Sequence, residues 1–337
     1  MATSGIELSL SPGTQLPAVS VVLPVLNEEL HLANAVQSIL SQDYAGTLEI
    51  ILALGPSKDK TNEIAERLAL ANTRISLVNN PSGRTAAGLN LALNKSTNPV
   101  IVRVDAHAEI QRNYISLAIE VMKSSGAVNV GGIMGAQGVS SFEKAVARAM
   151  RSPLGVGASR FHTGGDSGYV DTVYLGVFLR AAVIAVGGFD ERFIRAQDWE
   201  LNFRLRQAGG KIFFDPRLHV TYRPRSTVRA LARQYFEYGR WRRVVSRRHK
   251  GTINYRYLAP PFSLIAALLS IILAVALNAL FIIPAAIYGI FLIFASLLIG
   301  KGIIEKILLP MVLFTMQMSW GLGFLTSPKT LAPQNTK

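Results

Sequence analysis

Asp198 is a lone carboxylate at the predicted start of a helix, in the segment QDWELNFRLRQAGG that begins at Gln197. Leu201, Phe203 and Leu205 in this segment predict an amphipathic helix. Amides and the positive end of the helix dipole keep a first-turn carboxylate ionised, which is the state that a general base requires. A helix N-cap is the simpler interpretation of such an aspartate. This segment alone leaves both interpretations open.

A second acidic position follows a predicted strand. The apolar run from Val100 to Val104 comes after Pro99 and predicts a buried strand that ends at Asp105. His107 lies two residues further on, and residues i and i+2 of an extended chain point the same way. An oxygen and an imidazole suit Mn²⁺ or Mg²⁺ better than a structural zinc ion. The pair predicts a divalent-cation site, and a turn aspartate beside a surface histidine is the alternative.

Composition excludes several kinds of site. The 337 residues contain no cysteine, which rules out disulfides, thiolate zinc sites and a cysteine nucleophile. The chain has no Walker motif and no G-x-G-x-x-G, so kinase and dehydrogenase readings lack a phosphate-binding loop. Residues 1–17 are polar without a basic start, which predicts a disordered N-terminus and no signal peptide.

The net charge of +14 is concentrated in one stretch. Ten Lys or Arg residues lie between Arg223 and Lys250, against the single acid Glu237, and the 44 residues from Tyr257 to Gly300 carry no charge. Because the basic block adjoins an apolar segment, we expect anionic membrane lipids as its partner and no nucleic acid.

The uncharged stretch is about twice the ~20 residues that cross a bilayer. It predicts two helices, Leu258–Leu277 and Phe281–Ile299, in a transmembrane region over 257–328. A third uncharged segment, Ile307–Pro328, contains proline and glycine, and it either spans or is re-entrant. The basic block before the first helix predicts a multi-pass protein of the inner (cytoplasmic) membrane with its large N-terminal part in the cytoplasm. Residues 329–337 form a tail.

Residues 223–256 are predicted to form a basic amphipathic helix at the membrane interface. Its apolar residues recur at helical spacing: Val228, Leu231, Tyr235, Tyr238, Trp241 and Val245.

Residues 18–222 alternate apolar strands with helical patterns, which predicts an α/β domain with a mostly parallel sheet and helices on both faces. The first three strands are Val19–Pro24, Leu48–Leu54 and Ile75–Val78. Ligands of such sheets bind beyond the carboxyl ends of the strands. Each polar residue there is by itself a plausible turn or cap residue, but together they predict one polar crevice: Asn27, Glu28, Asp59, Arg84 and Asp105.

Several motifs occur in an order that resembles a known family, from Val19 to Trp241. They are VSVVLPVLNEE, GRTAAGLNLAL, VRVDAHA, VDTVYLGVFLR, GGFDERF, QDWELNFRLRQAGG and GRW. The chain resembles membrane-anchored family 2 glycosyltransferases of the GT-A (nucleotide-diphospho-sugar transferase) fold, and among them the ExoA-like succinoglycan-biosynthesis enzymes.

The resemblance implies a role for each matching position. It places the donor nucleotide on Pro24, Asn27, Glu28, Asp59, Arg84 and Asp105, the metal on Asp105 and His107, the base on Asp198, and the acceptor or diphosphate on Gln197, Trp199, Arg240 and Trp241.

Three positions depart from the family pattern. His107 replaces the second metal aspartate, which favours Mn²⁺ over Mg²⁺. Gln197 replaces the glutamate before the base, which removes a like charge. Leu54 replaces the aspartate that reads the nucleotide base, so the expected UDP specificity loses a direct contact.

The resemblance predicts an inverting transfer of a hexose from a nucleotide sugar, expected to be a UDP-sugar. The acceptor would be a polyprenyl-diphosphate-linked or other saccharide in bacterial exopolysaccharide or cell-envelope glycan synthesis. One alternative is a catalytically silent relative that scaffolds a polysaccharide synthesis and export complex, which Leu54 and His107 favour and Asp198 opposes. A polymerising synthase is a second alternative, for which the predicted helices are too few to form a channel.

Overall fold

The computed structural model describes residues 16–331, so the predicted disordered N-terminus and the end of the predicted tail lie outside the described residues. The chain divides into two compact units. The first contains the residues up to Gly135 together with Gly164–Tyr222, and the second contains Ala136–Thr163 and the residues from Arg223 onward. The segment Ala136–Thr163, which the sequence placed in the α/β domain, therefore groups with the C-terminal helices.

Nine strands of the described chain form one mixed sheet, in the order β3-β2-β1-β4-β8-β6-β9-β5 with β7 paired to β9. The strands are β1 Val19–Val25, β2 Leu48–Leu54, β3 Ile75–Asn79, β4 Val100–Arg103, β5 Glu109–Ile110, β6 Asn129–Ala136, β7 Gly168–Tyr169, β8 Val177–Leu179 and β9 Ile212–Tyr222.

The parallel part of this sheet is the part that carries the predicted crevice. β1 lies between β2 and β4 and pairs with both in parallel, and β2 pairs in parallel with β3. β1, β2 and β4 are almost wholly buried, which is why their sequences are mostly valine, isoleucine and leucine, whereas β3 at the sheet edge is largely half-buried. The other strand pairs with a described register are antiparallel: β4 with β8, β6 with β8, and β5 and β7 with β9.

Helices cover both faces of the sheet, as predicted. In the first unit they are α1 Leu32–Leu40, α2 Thr61–Ala71, α3 Thr85–Lys95, α4 Tyr114–Ser125, α8 Arg180–Ala185 and α9 Gln197–Gln207. The α1 residues Leu32, Ala35, Val36 and Ile39 are buried on one side, at the i, i+3, i+4, i+7 spacing of an amphipathic helix.

The second unit is helical. Its helices are α5 Ser141–Met150, α6 Pro153–Val156, α7 Arg160–Thr163, α10 Val228–Arg248, α11 Tyr255–Ala276, α12 Ile283–Ile299 and α13 Ile303–Thr326, with short 3₁₀ turns at Ala279–Ile282 and Lys329–Leu331. Three helical stretches are long and apolar enough to cross a membrane: Tyr255–Ala276, Ala279–Ile299 and Ile303–Thr326. The third begins four residues earlier than its uncharged segment, because the charged Glu305 and Lys306 belong to its first turns.

The α10 helix confirms the predicted helical periodicity of the basic segment. Thr227 begins it by accepting a hydrogen bond from the Ala230 amide at 3.2 Å. Of the apolar positions that predicted it, Leu231, Tyr235, Trp241 and Val245 are buried, and Val228 and Tyr238 are exposed.

Candidate functional site

The loop after β1 is hydrogen-bonded to the loop after β2. Asn27 adopts a left-handed backbone conformation, with φ of 55°, which asparagine tolerates better than most residues. Its amide donates to Ser57 Oγ at 3.1 Å, and its Oδ1 accepts from the Lys58 amide at 2.8 Å. Asn27 therefore fixes the shape of the crevice wall.

Two further contacts extend this loop pairing. The Glu28 amide donates to Thr61 Oγ1 at 2.7 Å, and the Glu29 amide donates to Asp59 Oδ2 at 3.4 Å. Asp59 also accepts from the hydroxyl and the amide of Thr61 at the start of α2, and these hydrogen bonds lower the pKa of its carboxyl group. Asn27, Glu28 and Asp59 thus lie together at the carboxyl ends of two adjacent strands, and their nucleotide contacts stay predictions.

Asp105 and His107 lie in a tight turn after β4, because the strand ends at Arg103, two residues earlier than predicted. The Ala108 amide donates to the Asp105 carbonyl at 2.8 Å and closes the turn. His107 Nδ1 lies 2.7 Å from Glu28 Oε1. Since a carboxylate only accepts, Nδ1 carries the proton of this hydrogen bond, and in the neutral ring the lone pair is on Nε2.

Arg103 is a candidate site residue that the sequence analysis did not single out. Its side chain is 4% exposed, and Nη2 donates to Asp105 Oδ1 at 3.0 Å. Nη1 forms an ion pair with Asp198 Oδ1. One guanidinium thus joins the predicted metal ligand to the predicted base. The available signal was an arginine in an otherwise apolar buried strand, since arginine is rarely fully buried unless it is paired.

The charges around Asp105 favour its ionised form. Burial would raise the pKa of the Asp105 carboxyl group, but the neighbouring Arg103, His107 and Arg195 side chains and the Arg103 hydrogen bond outweigh burial and lower this pKa. Arg195, which follows the GGFDERF motif, is an exposed cation that the sequence analysis also did not single out.

Asp198 is the second residue of α9 and does not occupy the N-cap position. Ala196 is the N-cap, with a left-handed backbone at φ of 61°, and no side chain caps this helix end. The N-cap interpretation of Asp198 is therefore wrong, whereas the predicted helix start is confirmed. A left-handed alanine costs backbone energy, and such residues concentrate at functional sites.

Buried polar contacts hold α9 in place. The Arg204 guanidinium binds both carboxylate oxygens of Glu200, which is 1% exposed, and also donates to the Val186 and Gly188 carbonyls. On another side, Asn202 accepts from Asn129 Nδ2 at 2.7 Å. These contacts tie the helix that carries Asp198 to the GGFD loop and to β6.

The other predicted residues of the first unit lie as follows. Gln197 is 7% exposed, and the half-buried Trp199 stacks on Phe203 with 5.6 Å between the ring centroids. Arg84 is exposed just before α3, and Pro24 is half-buried within β1. Their predicted roles stay untested.

Arg240 and Trp241 lie in the second unit, on α10. Arg240 Nη1 pairs with Glu237 Oε1 at 2.8 Å and keeps about a quarter of its side chain exposed. Trp241 is 1% exposed and is one of the largest fully buried side chains. Its indole ring belongs to the core of this unit, so only Arg240 of the two is accessible to a ligand.

The turn at Asp105 fits a divalent cation only if the substrate supplies further ligands. Within residues 16–331 no three His, Asp or Glu side chains form a metal-binding group. Mg²⁺ and similar hard cations are commonly held by one or two protein groups together with substrate phosphates. Asp105 and the imidazole of His107, oriented by Glu28, match that donor set.

Replacing Arg103 by methionine is expected to destabilise the protein by about 3–5 kcal/mol, because two partly buried carboxylates lose their common cation. Thermal unfolding of the purified full chain measures this. The control is Arg67→Met at an exposed position of α2, which we expect to change stability little. Equal melting temperatures for the two variants would contradict the bridging role.

Comparisons with known proteins agree with this architecture. The profile of glycosyl transferase family 2 matches residues 20–187. Succinoglycan biosynthesis protein ExoA of Rhizobium meliloti (strain 1021) is 32% identical over 242 residues, covering 71% of this chain and 73% of that protein.

Two more distant proteins also match. A dolichyl N-acetyl-alpha-D-glucosaminyl phosphate 3-beta-D-2,3-diacetamido-2,3-dideoxy-beta-D-glucuronosyltransferase of Methanococcus voltae is 26% identical, covering 76% of this chain and 81% of that protein. The crystal structure of S. aureus TarS 1-349 in complex with UDP superposes with a TM-score of 0.52 at 14% identity, covering 92% of this chain and 90% of that chain. At that identity the likeness concerns the fold alone.

Proposed function

Because this chain belongs to glycosyltransferase family 2, we propose that it transfers a hexose from a nucleotide sugar with inversion at the anomeric carbon. The acceptor is a lipid-diphosphate-linked or other saccharide of bacterial exopolysaccharide or cell-envelope glycan synthesis. The observation that carries this proposal is the pairing of Asp198 with Asp105 through Arg103, since it joins a candidate base to a candidate phosphate-side residue.

Asp198 accepts the proton of the acceptor hydroxyl as that oxygen attacks the anomeric carbon. Arg103 and the first-turn amides of α9 keep the carboxylate ionised before the reaction. One displacement inverts the configuration, so an α-linked donor gives a β-glycoside. Asn202 and Arg204 hold the helix, which fixes the direction from which Asp198 approaches.

The opposite side of the sugar carries the leaving nucleoside diphosphate. Asp105 and His107 would hold a divalent cation there, and that cation supplies positive charge to the departing phosphate oxygens. Arg195 lies close enough to lower the pKa of Asp105, and together with Arg84 it adds fixed positive charge for the same oxygens.

The paired loops after β1 and β2 form the wall of the crevice in which the nucleotide binds. The side chains of Asn27 and Asp59 are engaged in hydrogen bonds of the loops, so they fix the shape of this wall. Backbone groups of the loops then make much of the contact with the nucleotide. Because the side chain of Leu54 cannot accept a hydrogen bond from a base, discrimination between nucleotides rests on these loops. The TarS structure of similar fold contains UDP, which is consistent with a nucleotide-sugar donor here.

The second unit attaches the enzyme to the inner membrane, with the α/β domain in the cytoplasm. The basic residues of its α10 helix bind anionic lipid head groups electrostatically. Arg240 on this helix can bind an anionic diphosphate head group. The domain limits that we propose are 18–222 for the transferase domain, 223–256 for the interfacial segment and 257–328 for the membrane region.

Membranes that contain the full chain, incubated with a panel of sugar nucleotides, test this function. We expect one donor to release its nucleoside diphosphate faster than all others, with release stimulated by lipid-linked saccharide. No release above that of the Asp198→Asn variant with any donor would instead support the silent scaffold.

Replacing Glu28 by alanine is expected to weaken cation binding by about 10–100-fold, because the histidine ligand loses the carboxylate that orients it. Titration of Mn²⁺ into the full chain with donor, followed by electron paramagnetic resonance, measures this. Glu29→Ala is the matched control, since Glu29 is an exposed residue of the same loop whose Oε2 accepts from the Lys60 amide at 3.1 Å. Equal losses in both variants would indicate a loop effect and contradict the orienting role.

A further inference from the structure

Arginines form a stripe along helix α10. They follow one another at intervals of three, four or seven positions, which places them on one side of a helix with 3.6 residues per turn: Arg229, Arg233, Arg240, Arg243 and Arg247. The two ends of this stripe have different surroundings. Arg229 and Arg233 are exposed, whereas Arg240 and Arg243 are half-buried and lie over aromatic rings.

Arg243 is positioned by an aromatic ring and not by hydrogen bonds. Its guanidinium carbon lies over the Phe324 ring of α13, 4.9 Å from the ring centroid. Among residues 16–331 no group accepts a hydrogen bond from this guanidinium, and its nitrogen atoms are not buried. A guanidinium is a planar cation with a rigid fork of N–H donors at its edge. Arg243 therefore presents open donors in a defined place.

The two neighbouring arginines of the stripe differ in how far their charge is neutralised. Arg240 Nη1 forms an ion pair with Glu237 Oε1 at 2.8 Å. Arg247 donates to two carbonyl groups at the end of α13, at 2.8 and 3.0 Å, and neutral carbonyl groups leave its net charge in place. Burial and the nearby charge of Arg243 lower the pKa of Arg247. Arg243 and Arg247 are thus two like charges held close together, and an anion between them would relieve their repulsion.

An exposed apolar surface adjoins this pair of arginines. Leu322 and Leu325 lie within one turn of Phe324 on α13, and both are exposed. The first apolar helix, α11, begins at Tyr255, soon after the end of α10. A free inorganic anion would leave the leucines in water, whereas the hydrocarbon chain of a lipid would cover them.

We propose that Arg243 and Arg247 bind the diphosphate group of a lipid-linked saccharide, with the hydrocarbon chain of the lipid over the exposed leucines of α13. The two arginines match the two negative charges of a diphosphate that is esterified at both ends. Arg243 donates two parallel hydrogen bonds to one phosphate, the geometry that guanidinium groups form with phosphates. Arg240 contributes at the edge of this site, since Glu237 neutralises its charge. The inference rests on the proposed function, because it specifies how the acceptor binds.

Titration of farnesyl diphosphate into the detergent-solubilised full chain tests this site, with chelator present and without a sugar donor. Isothermal calorimetry measures the affinity. We expect Arg243→Gln to weaken binding by about 10–100-fold, the range for loss of hydrogen bonds to a charged group. Arg243→Lys keeps the charge but not the planar fork, and we expect it to lose most of this affinity as well.

Arg233→Gln is the matched control, because it removes the same charge from the exposed end of the same stripe. Salt screens a charge at that distance, so we expect its affinity to change by less than about threefold. Equal losses in Arg233→Gln and Arg243→Gln would indicate a diffuse attraction between the helix and the anion, and would overturn the site. Thermal unfolding of each variant shows whether it is folded. If Arg243→Gln is not, Arg243→Lys decides, and wild-type affinity in that variant overturns the proposal.

Inorganic pyrophosphate is the second ligand, since it has the anionic group without the hydrocarbon chain. We expect it to bind more weakly than farnesyl diphosphate, and equal affinities would overturn the assignment to a lipid. Because no sugar donor is present, these results are independent of whether the chain transfers a sugar. A chain that binds farnesyl diphosphate through Arg243 but releases no nucleotide from any donor would contradict the transferase proposal and leave this site in place.

Discussion

Replacing Asp198 by asparagine is expected to lower sugar transfer by at least about 100-fold, the low end for a general base. Asparagine has nearly the same shape and keeps the first turn of α9, but it cannot take the proton of the acceptor hydroxyl. Donor binding should persist, because Asp105 and the loops after β1 and β2 are unchanged. Initial rates with saturating donor and acceptor, together with donor affinity from titration, measure both effects.

The matched control is Asp171→Asn. The exposed Asp171 forms an ion pair with Arg206, which lies on α9 as Asp198 does, and its Oδ1 is 2.9 Å from Arg206 Nη1. An exposed ion pair contributes little to stability. We expect this variant to retain a near-normal rate. If Asp198→Asn also turns over at a near-normal rate, Asp198 is not the base.

Removing divalent cations is expected to abolish transfer, and Mn²⁺ should restore it better than Mg²⁺. The imidazole of His107 is a softer ligand than the usual second carboxylate, and it favours Mn²⁺. Asp105→Asn should lower the rate by at least about 100-fold, in the range for loss of an electrostatic stabiliser of the transition state. Rates after chelation and stepwise addition of each metal ion measure this.

His107→Asp is the informative companion of this variant. It restores a two-carboxylate donor set, and we expect it to shift the preference toward Mg²⁺ while transfer continues. Full activity of the unmodified enzyme in excess chelator would rule out the cation site. The phosphate charge would then rest on the exposed arginines Arg84 and Arg195.

Runs of apolar residues in the sequence were sufficient to predict the buried strands and the apolar helices. Leu48–Leu54 and Val100–Val102 are mostly apolar, and the structure buries nearly all of their residues. The charge-free stretch after Lys250 identified two apolar helices for the same reason, since an uncharged run is visible without any knowledge of its neighbours. The start of the helix at Asp198 was also visible, because apolar periodicity begins there.

Contacts between residues distant in the chain were decided by the tertiary structure. Arg103 reaches Asp198 only because β4 ends beside the first turn of α9, and no local pattern records that approach. The left-handed Ala196 has the same origin, since alanine gives no local signal for that conformation. The hydrogen bond of Glu28 to His107 likewise joins two loops that sequence analysis could only place at the same sheet edge.

The packing partners of the apolar helices were also not visible in the sequence. Both α11 and α13 are long and apolar enough to cross a membrane. Hydropathy along the chain measures only how apolar the residues are and not what they contact. α13 packs against its neighbours α11 and α12, against α5, which lies far upstream in the chain, and against α10, which carries the basic block. The sequence determined that α13 is apolar and helical, and packing against these four helices determined which of its faces remains exposed.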